Sequence, residues 1–286
     1  MLLIVGSLVV LVCVFGGFTL DDGRLAVLWQ PFEAVMIIGA AIGAFIIANP
    51  KPVLKGAAKA IGIALRGPRY NKDSYLQLLS LLYTIFRLAR TKGMVVLEQH
   101  VENPNESTLF GQFPEIQKDE HVMVFLCDYL RLLTLGTENP HEIEPLIDED
   151  IDTHHAEQQR LANAFQTSSE GLPALGIVAA VLGVIKTMGS INQPPVVLGH
   201  LIGGALVGTF LGVFLAYGFV GPIAAALRQT FDAEHKYLQC IKSGLLAHMQ
   251  GYPPAVAVEF ARKALMSEVR PTFYEVEEAT NSVQAV

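Results

Sequence analysis

The hydrophobic pattern divides the chain into unbroken apolar runs and amphipathic stretches. Leu2–Leu20, Pro31–Ala48, Gly171–Ser190 and Leu198–Pro222 are each near the length, about 20 residues, that a helix needs to cross a bilayer core, provided Glu33 sits at the interface. Elsewhere apolar residues recur at helical spacing. Leu76, Leu79, Tyr83 and Phe86 predict a helix over Asp73–Lys92 that ends at Gly93. Further helices are predicted over Met94–Val101, His121–Leu135, and Glu142–Ala164 running on toward Pro173. Ile223–Met249 and Ala255–Glu268 complete the set, parted by Gly251-Tyr252-Pro253-Pro254. After the Asn49-Pro50-Lys51-Pro52 break, Lys55–Arg66 reads as a basic amphipathic helix lying on a membrane surface, or as a plain linker helix. No stretch alternates as a strand would. The expected fold is an all-α integral membrane protein, with four transmembrane helices and a large cytoplasmic helical lobe. Its expected divisions are residues 1–48 (first two spans), 49–170 (lobe), 171–222 (third and fourth spans) and 223–286 (helical tail).

Charge orients these segments. Lys51, Lys55, Lys59, Arg66, Arg69 and Lys72 follow the second span, whereas Asp21–Gln30 holds only Arg24 and Asn192–Val197 no charge at all. Lys and Arg near span ends stay cytoplasmic, which places the lobe, the tail and both termini inside. Leu2–Leu20 has no basic leader or A-x-A-like cleavage site, so it reads as a retained span rather than a signal peptide. A net charge of -7 argues against nucleic acid as a partner. Cys13, Cys127 and Cys240 lie far apart without metal-type spacing and read as packing residues. The acidic run Glu138–Asp152 reads as a solvated helix start, and the adjacent His154 and His155 diverge on a helix. With no nucleophile triad, P-loop or zinc spacing, neither an enzyme nor a bound cofactor or metal is expected.

The third and fourth spans are built for close approach. Pro173, Gly176, Ala180 and Gly183 follow a 3-4-3 spacing on one helix face, and Gly204, Gly208, Gly212 and Ala216 form tandem small-xxx-small steps. Such faces let helix backbones meet in lipid. Thr209 and Tyr217 are the main polar side chains beside the second ladder. Pro173 and Pro222 allow two readings: harmless punctuation in a first turn, or interior prolines that joint the spans to the lobe. Neither span holds a midplane Asp or Glu. Since intramembrane acids mark proton relays, an ion pathway here would need its carboxylate from another chain. In the lobe, Arg87 and Arg90 share one face of their helix and Glu98 follows the Gly93 turn. They form either a docking rim of complementary charge or a solvated face with ion pairs worth about 0–1 kcal/mol.

Several runs carry a resemblance. VFGG near Phe15, QPFE at Gln30–Glu33, VENPNES, PALGIVAAVLGV, VGTFLGVFLAYGFVGP, VEFARKAL and EVRPTF together resemble the MotA family of flagellar motor stator subunits, in its longer, proton-driven form, over nearly the whole chain. The resemblance implies a bacterial inner-membrane homo-oligomer, a pentamer around two copies of MotB, whose single membrane helix supplies the ion-binding Asp. It also implies that Arg90 and Glu98 engage the rotor protein FliG and that Pro173 and Pro222 serve torque generation. Ala180, Thr209 and Tyr217 would border the ion path. Ala180 stands where sodium-driven relatives carry a hydroxyl, which favours H+ over Na+. A rival within the same physical class is a TolQ/ExbB-type energiser, which typically has three spans. A transporter would show an intramembrane polar site or an internal repeat of its own.

Overall fold

The computed structural model describes residues 2–136 and 139–283, so Glu138 of the acidic run and the extreme chain ends lie outside it. The first apolar run is α1 (Leu2–Leu20), followed by the single turn α2 (Leu25–Leu28) and α3 (Pro31–Ala48). Asn49 and Pro50 break the chain, and α4 (Lys51–Arg66) starts four residues before its predicted beginning because Pro52 falls within its first turn. Proline costs nothing there, since its missing N–H would be unpaired in any case. Next come α5 (Lys72–Lys92), α6 (Val95–Glu102), a 3₁₀ turn at Phe110–Gln112, α7 (Pro114–Gln117) and α8 (Glu120–Thr134). The long α9 (Pro140–Met188) and α10 (Pro195–Leu215) follow, then a π-helical turn at Ala216–Val220 and α11 (Gly221–Met249). The chain finishes with α12 (Pro254–Lys263) and α13 (Phe273–Ser282). Among the described residues four helical stretches are long and apolar enough to cross a membrane: Leu2–Leu20, Pro31–Ala48, part of Pro140–Met188 and part of Pro195–Met249.

The chain forms two compact units. One comprises residues 1–67 and 156–231, the other 68–155 and 232–286. In the first, α1 meets α10 through aromatic edges, Phe15 lying 6.4 Å from Phe210 and 5.4 Å from Phe214 between ring centroids. α4 buries Val53, Ala60 and Ala64 while Lys55, Lys59 and Arg66 stay exposed, the basic amphipathic pattern expected of it. Its buried stripe packs with Ala162, Leu227 and Phe231.

The second unit has an ordinary apolar core. Leu78, Leu82, Ile85 and Phe86 of α5 pack with Leu126 and Leu130 of α8, Ile147 and Ile151 of α9, and Ile241 and Leu245 of α11. α5 starts in a capping box, where the Asn71 side chain accepts from Ser74 N–H at 2.9 Å. α12 ends at Lys263, five residues short of its expected end. Arg270 explains the stop, because its guanidinium donates to the Leu265 carbonyl and holds the chain in a turn. α13 was not expected. It opens on a second capping box, Thr272 with Glu275, and Lys72 on α5 pairs with Glu275 at 2.7 Å.

Candidate functional site

The predicted small-residue faces meet. A side-chain carbon placed on Gly176 of α9 would lie 2.8 Å from the Gly208 carbonyl oxygen and 3.1 Å from Gly212 Cα. One on Gly212 would lie 2.7 Å from the Leu172 carbonyl oxygen, and one on Gly183 2.6 Å from Ala205 Cβ. Backbone therefore touches backbone along three turns, which only glycine allows. The row on α9 is Leu172, Gly176, Ala179 and Gly183. Ala179, rather than Ala180, is the side chain set against Gly208, and Ala180 brings its backbone nitrogen to that contact. Helical drift explains the exchange: steps of 4-3-4 track one face of a 3.6-residue helix as well as 3-4-3 does.

Of the other predicted residues, Thr209 lies at this contact, its Cα 3.3 Å from a side-chain carbon placed on Gly176. Thr209 and Ala180 are half-buried, while Tyr217 is 70% exposed and Pro222 is exposed. The contact therefore leaves the aromatic ring and the second proline on free surface of the chain.

The structure places both prolines within continuous helix rather than in an isolated first turn. Pro173 lies deep inside α9 and Pro222 lies at the second residue of α11, where the helix continues directly from the π turn. An interior proline cannot donate to the carbonyl four residues earlier. Pro173 thus leaves the Ser169 carbonyl, and Pro222 the Gly218 carbonyl, without that donor. Between the two, Ser169 Oγ donates to the Ala216 carbonyl oxygen at 2.8 Å. Ser169 is buried, and the same oxygen also accepts the Gly221 N–H. Sequence reading missed Ser169 and the π turn, because neither a lone serine nor an irregular turn carries a periodic signal.

Arg90 and Glu98 lie in the second unit. α5 ends at Gly93, whose φ of 86° reverses the chain into α6, a conformation glycine adopts without strain. Leu97, His100 and Val101 face inward on α6, His100 Nδ1 lying 2.9 Å from Ser107 Oγ. That leaves Glu98 exposed, and Arg90 is exposed at the end of α5. Neither makes an ion pair among the described residues. Arg87 is engaged differently, stacking its guanidinium over the Tyr83 ring at 5.6 Å. Burial, with the Arg90 charge beside it, lowers the pKa of His248, whose ring stacks on Phe86 at 4.6 Å. Arg90 therefore stands next to a neutral imidazole rather than a charged partner, and its charge is available outward. The described residues hold no cluster of His, Cys, Asp and Glu able to bind a metal.

Residues 4–93 match the family model described as motility protein A N-terminal, and residues 117–240 match the MotA/TolQ/ExbB proton channel family. The chain is 46% identical to motility protein A of Escherichia coli over 99% of this chain and 96% of the relative. Chemotaxis protein LafT of Vibrio parahaemolyticus is 35% identical over 95% of each chain. Among solved structures, the MotAB structure of C. jejuni superposes with a TM-score of 0.78 at 19% identity, covering 93% of this chain and 96% of that one. The flagellar MotAB stator complex from Bacillus subtilis gives 0.73 at 23% identity, covering 90% and 92%.

Proposed function

The chain belongs to the motility protein A family, and on that premise we propose that it is the proton-conducting stator subunit of a flagellar motor rather than an enzyme. Its partner is MotB and its load is the rotor protein FliG. The observation that carries the reading is the glycine contact of α9 with α10, which is lined on the family's ion-path side by Ala180 and Thr209 and holds no carboxylate of its own. A proton path through apolar helices needs a group that binds and releases the proton. With no Asp or Glu between Gly171 and Pro222, that group comes from the partner's membrane helix. Protonation neutralises it, changes its preferred neighbours beside Thr209, and lets the assembly step. Each charge moved is worth roughly 2.3 kcal/mol per 100 mV, enough to bias such a step.

The chain sits in the bacterial inner membrane as a homo-oligomer, a pentamer by family precedent, with the basic stretch Lys51–Lys72 and both termini in the cytoplasm. Small residues along a cavity of about 490 Å³ between α3 and α9, among them Ala41, Ala44 and Gly171, suit close approach by a neighbouring helix. Protons are the favoured ion, since Ala180 supplies no oxygen for sodium. Arg90 and Glu98 push the rotor through charge complementarity. Four apolar helices and the match at residues 4–93 favour a stator over a TolQ/ExbB-type energiser. The test is complementation of a stator-deleted strain in soft agar, with and without sodium. Wild-type chain restores swimming in both media, while Pro173→Ala and Thr209→Val lose most of it at unchanged membrane level. A strict sodium requirement, or failure of the wild-type chain alongside its MotB, overturns the reading.

A further inference from the structure

The two prolines tied to torque by family resemblance stand on different helices, yet both perturb backbone beside one hydrogen bond. Pro173 removes the helical donor of the Ser169 carbonyl, and Ser169 is the residue whose hydroxyl crosses to Ala216. Ala216 opens the π turn that ends at Val220, immediately before Gly221 and Pro222. Its carbonyl oxygen takes two donors: the Gly221 N–H, five residues on, and Ser169 Oγ at 2.8 Å. Short π turns mark functional irregularities in helices, and here a buried side chain from a neighbouring helix sits on the oxygen that begins one. Space for the hydroxyl is reserved as well. A side-chain carbon on Gly221 would fall 3.1 Å from Ser169 Oγ and 3.1 Å from the Ala216 oxygen.

We propose that Ser169 is a positioning residue for torque generation: its hydroxyl fixes the π turn and ties the Pro173 and Pro222 irregularities into one two-state joint. With the bond made, the junction holds its π form. With the bond broken, the Ala216 carbonyl keeps only its backbone donor and the turn is free to rewind, shifting α11 relative to α10. The inference rests on the stator reading above. It adds to that reading a residue the ion does not touch, through which ion passage is converted into movement.

The test separates conduction from torque. Complexes with the partner are prepared bearing Ser169→Ala, Ser169→Thr or Gly221→Ala, and membrane level, proton flux into vesicles and swimming are measured in parallel. Ser169→Ala should keep wild-type membrane level and flux while swimming falls about five-fold, the factor one neutral hydrogen bond is worth in a two-state equilibrium. Ser169→Thr, which keeps the hydroxyl, should restore swimming, and Gly221→Ala should behave like Ser169→Ala. A carbonyl-¹³C label at Ala216 supplies a readout independent of motility, its resonance shifting in Ser169→Ala but not in Ser169→Thr. Normal swimming by Ser169→Ala, or parallel loss of flux, level and swimming with no rescue by threonine, overturns the proposal. Failure of the wild-type chain to swim would instead count against the stator reading itself.

Discussion

Gly212 gives the most direct check on the helix contact. Alanine there places a methyl 2.7 Å from the Leu172 carbonyl oxygen, 2.9 Å from Gly176 Cα and 3.1 Å from Gly176 N. All three are backbone atoms, so no rotamer change relieves the clash. Ordinary contact begins near 3.4 Å, and the helices must therefore part by about 0.7 Å. Overpacking of this kind costs about 1–3 kcal/mol. The better helix propensity of alanine returns at most about 1 kcal/mol, and since backbone cannot yield, the net effect is destabilising by about 2 kcal/mol. The assay is thermal inactivation of the detergent-solubilised complex, followed by size-exclusion recovery, with Gly62→Ala as control. Gly62 is exposed on α4 with nothing within 4 Å of an added carbon, so its replacement should be neutral or slightly stabilising. Gly212→Ala should lower the midpoint while Gly62→Ala does not. Equal midpoints for the two variants would refute the claim that backbone contact at Gly212 holds these helices together.

Two further outcomes are expected. Arg90→Glu or Glu98→Lys alone should reduce swimming partially, because each exposed pair is worth only about 0–1 kcal/mol, and the double reversal should reduce it further at unchanged membrane level. Normal swimming by the double variant would remove both residues from rotor docking. At the other end of the second unit, hydrogen bonds from Lys72 and then from Thr272 hold the Glu275 carboxyl down at about 2, below its ordinary 4.5. A lowered carboxyl pKa contributes stability that is full above 4.5 and fades as pH falls toward 2. Hydrogen exchange over residues 273–282, corrected for intrinsic rate, should therefore speed up through that window in wild-type chain. Glu275→Gln should exchange faster at neutral pH and lose the acid dependence, and an unchanged profile would show that the pair does not anchor α13.

Much of this was legible in the sequence because the signals were periodic. The four apolar runs declare themselves by length, while the glycine ladders and the α5 core stripe repeat at helical spacing, and each lies in a helix or on a packed face. Ala180 was read in place of Ala179 because both satisfy that spacing and only the partner helix distinguishes them. α13 was missed although its capping box, Thr272 with Glu275, stands openly in the sequence, since its apolar stripe is short. The continuity of α9 through Pro173 depends on packing along both sides of the proline, which local propensity does not record. Ser169 was invisible for a related reason: its role arises from an oxygen 47 residues away.

The central claim is that this chain is half of a proton path completed by an acid from its partner. The measurement is proton flux into energised vesicles carrying the chain together with MotB, with either protein alone, or with MotB whose membrane Asp is changed to Asn. Flux confined to the intact pair and independent of sodium is the predicted result. Flux from this chain alone, or undiminished flux with the Asn partner, would contradict the account.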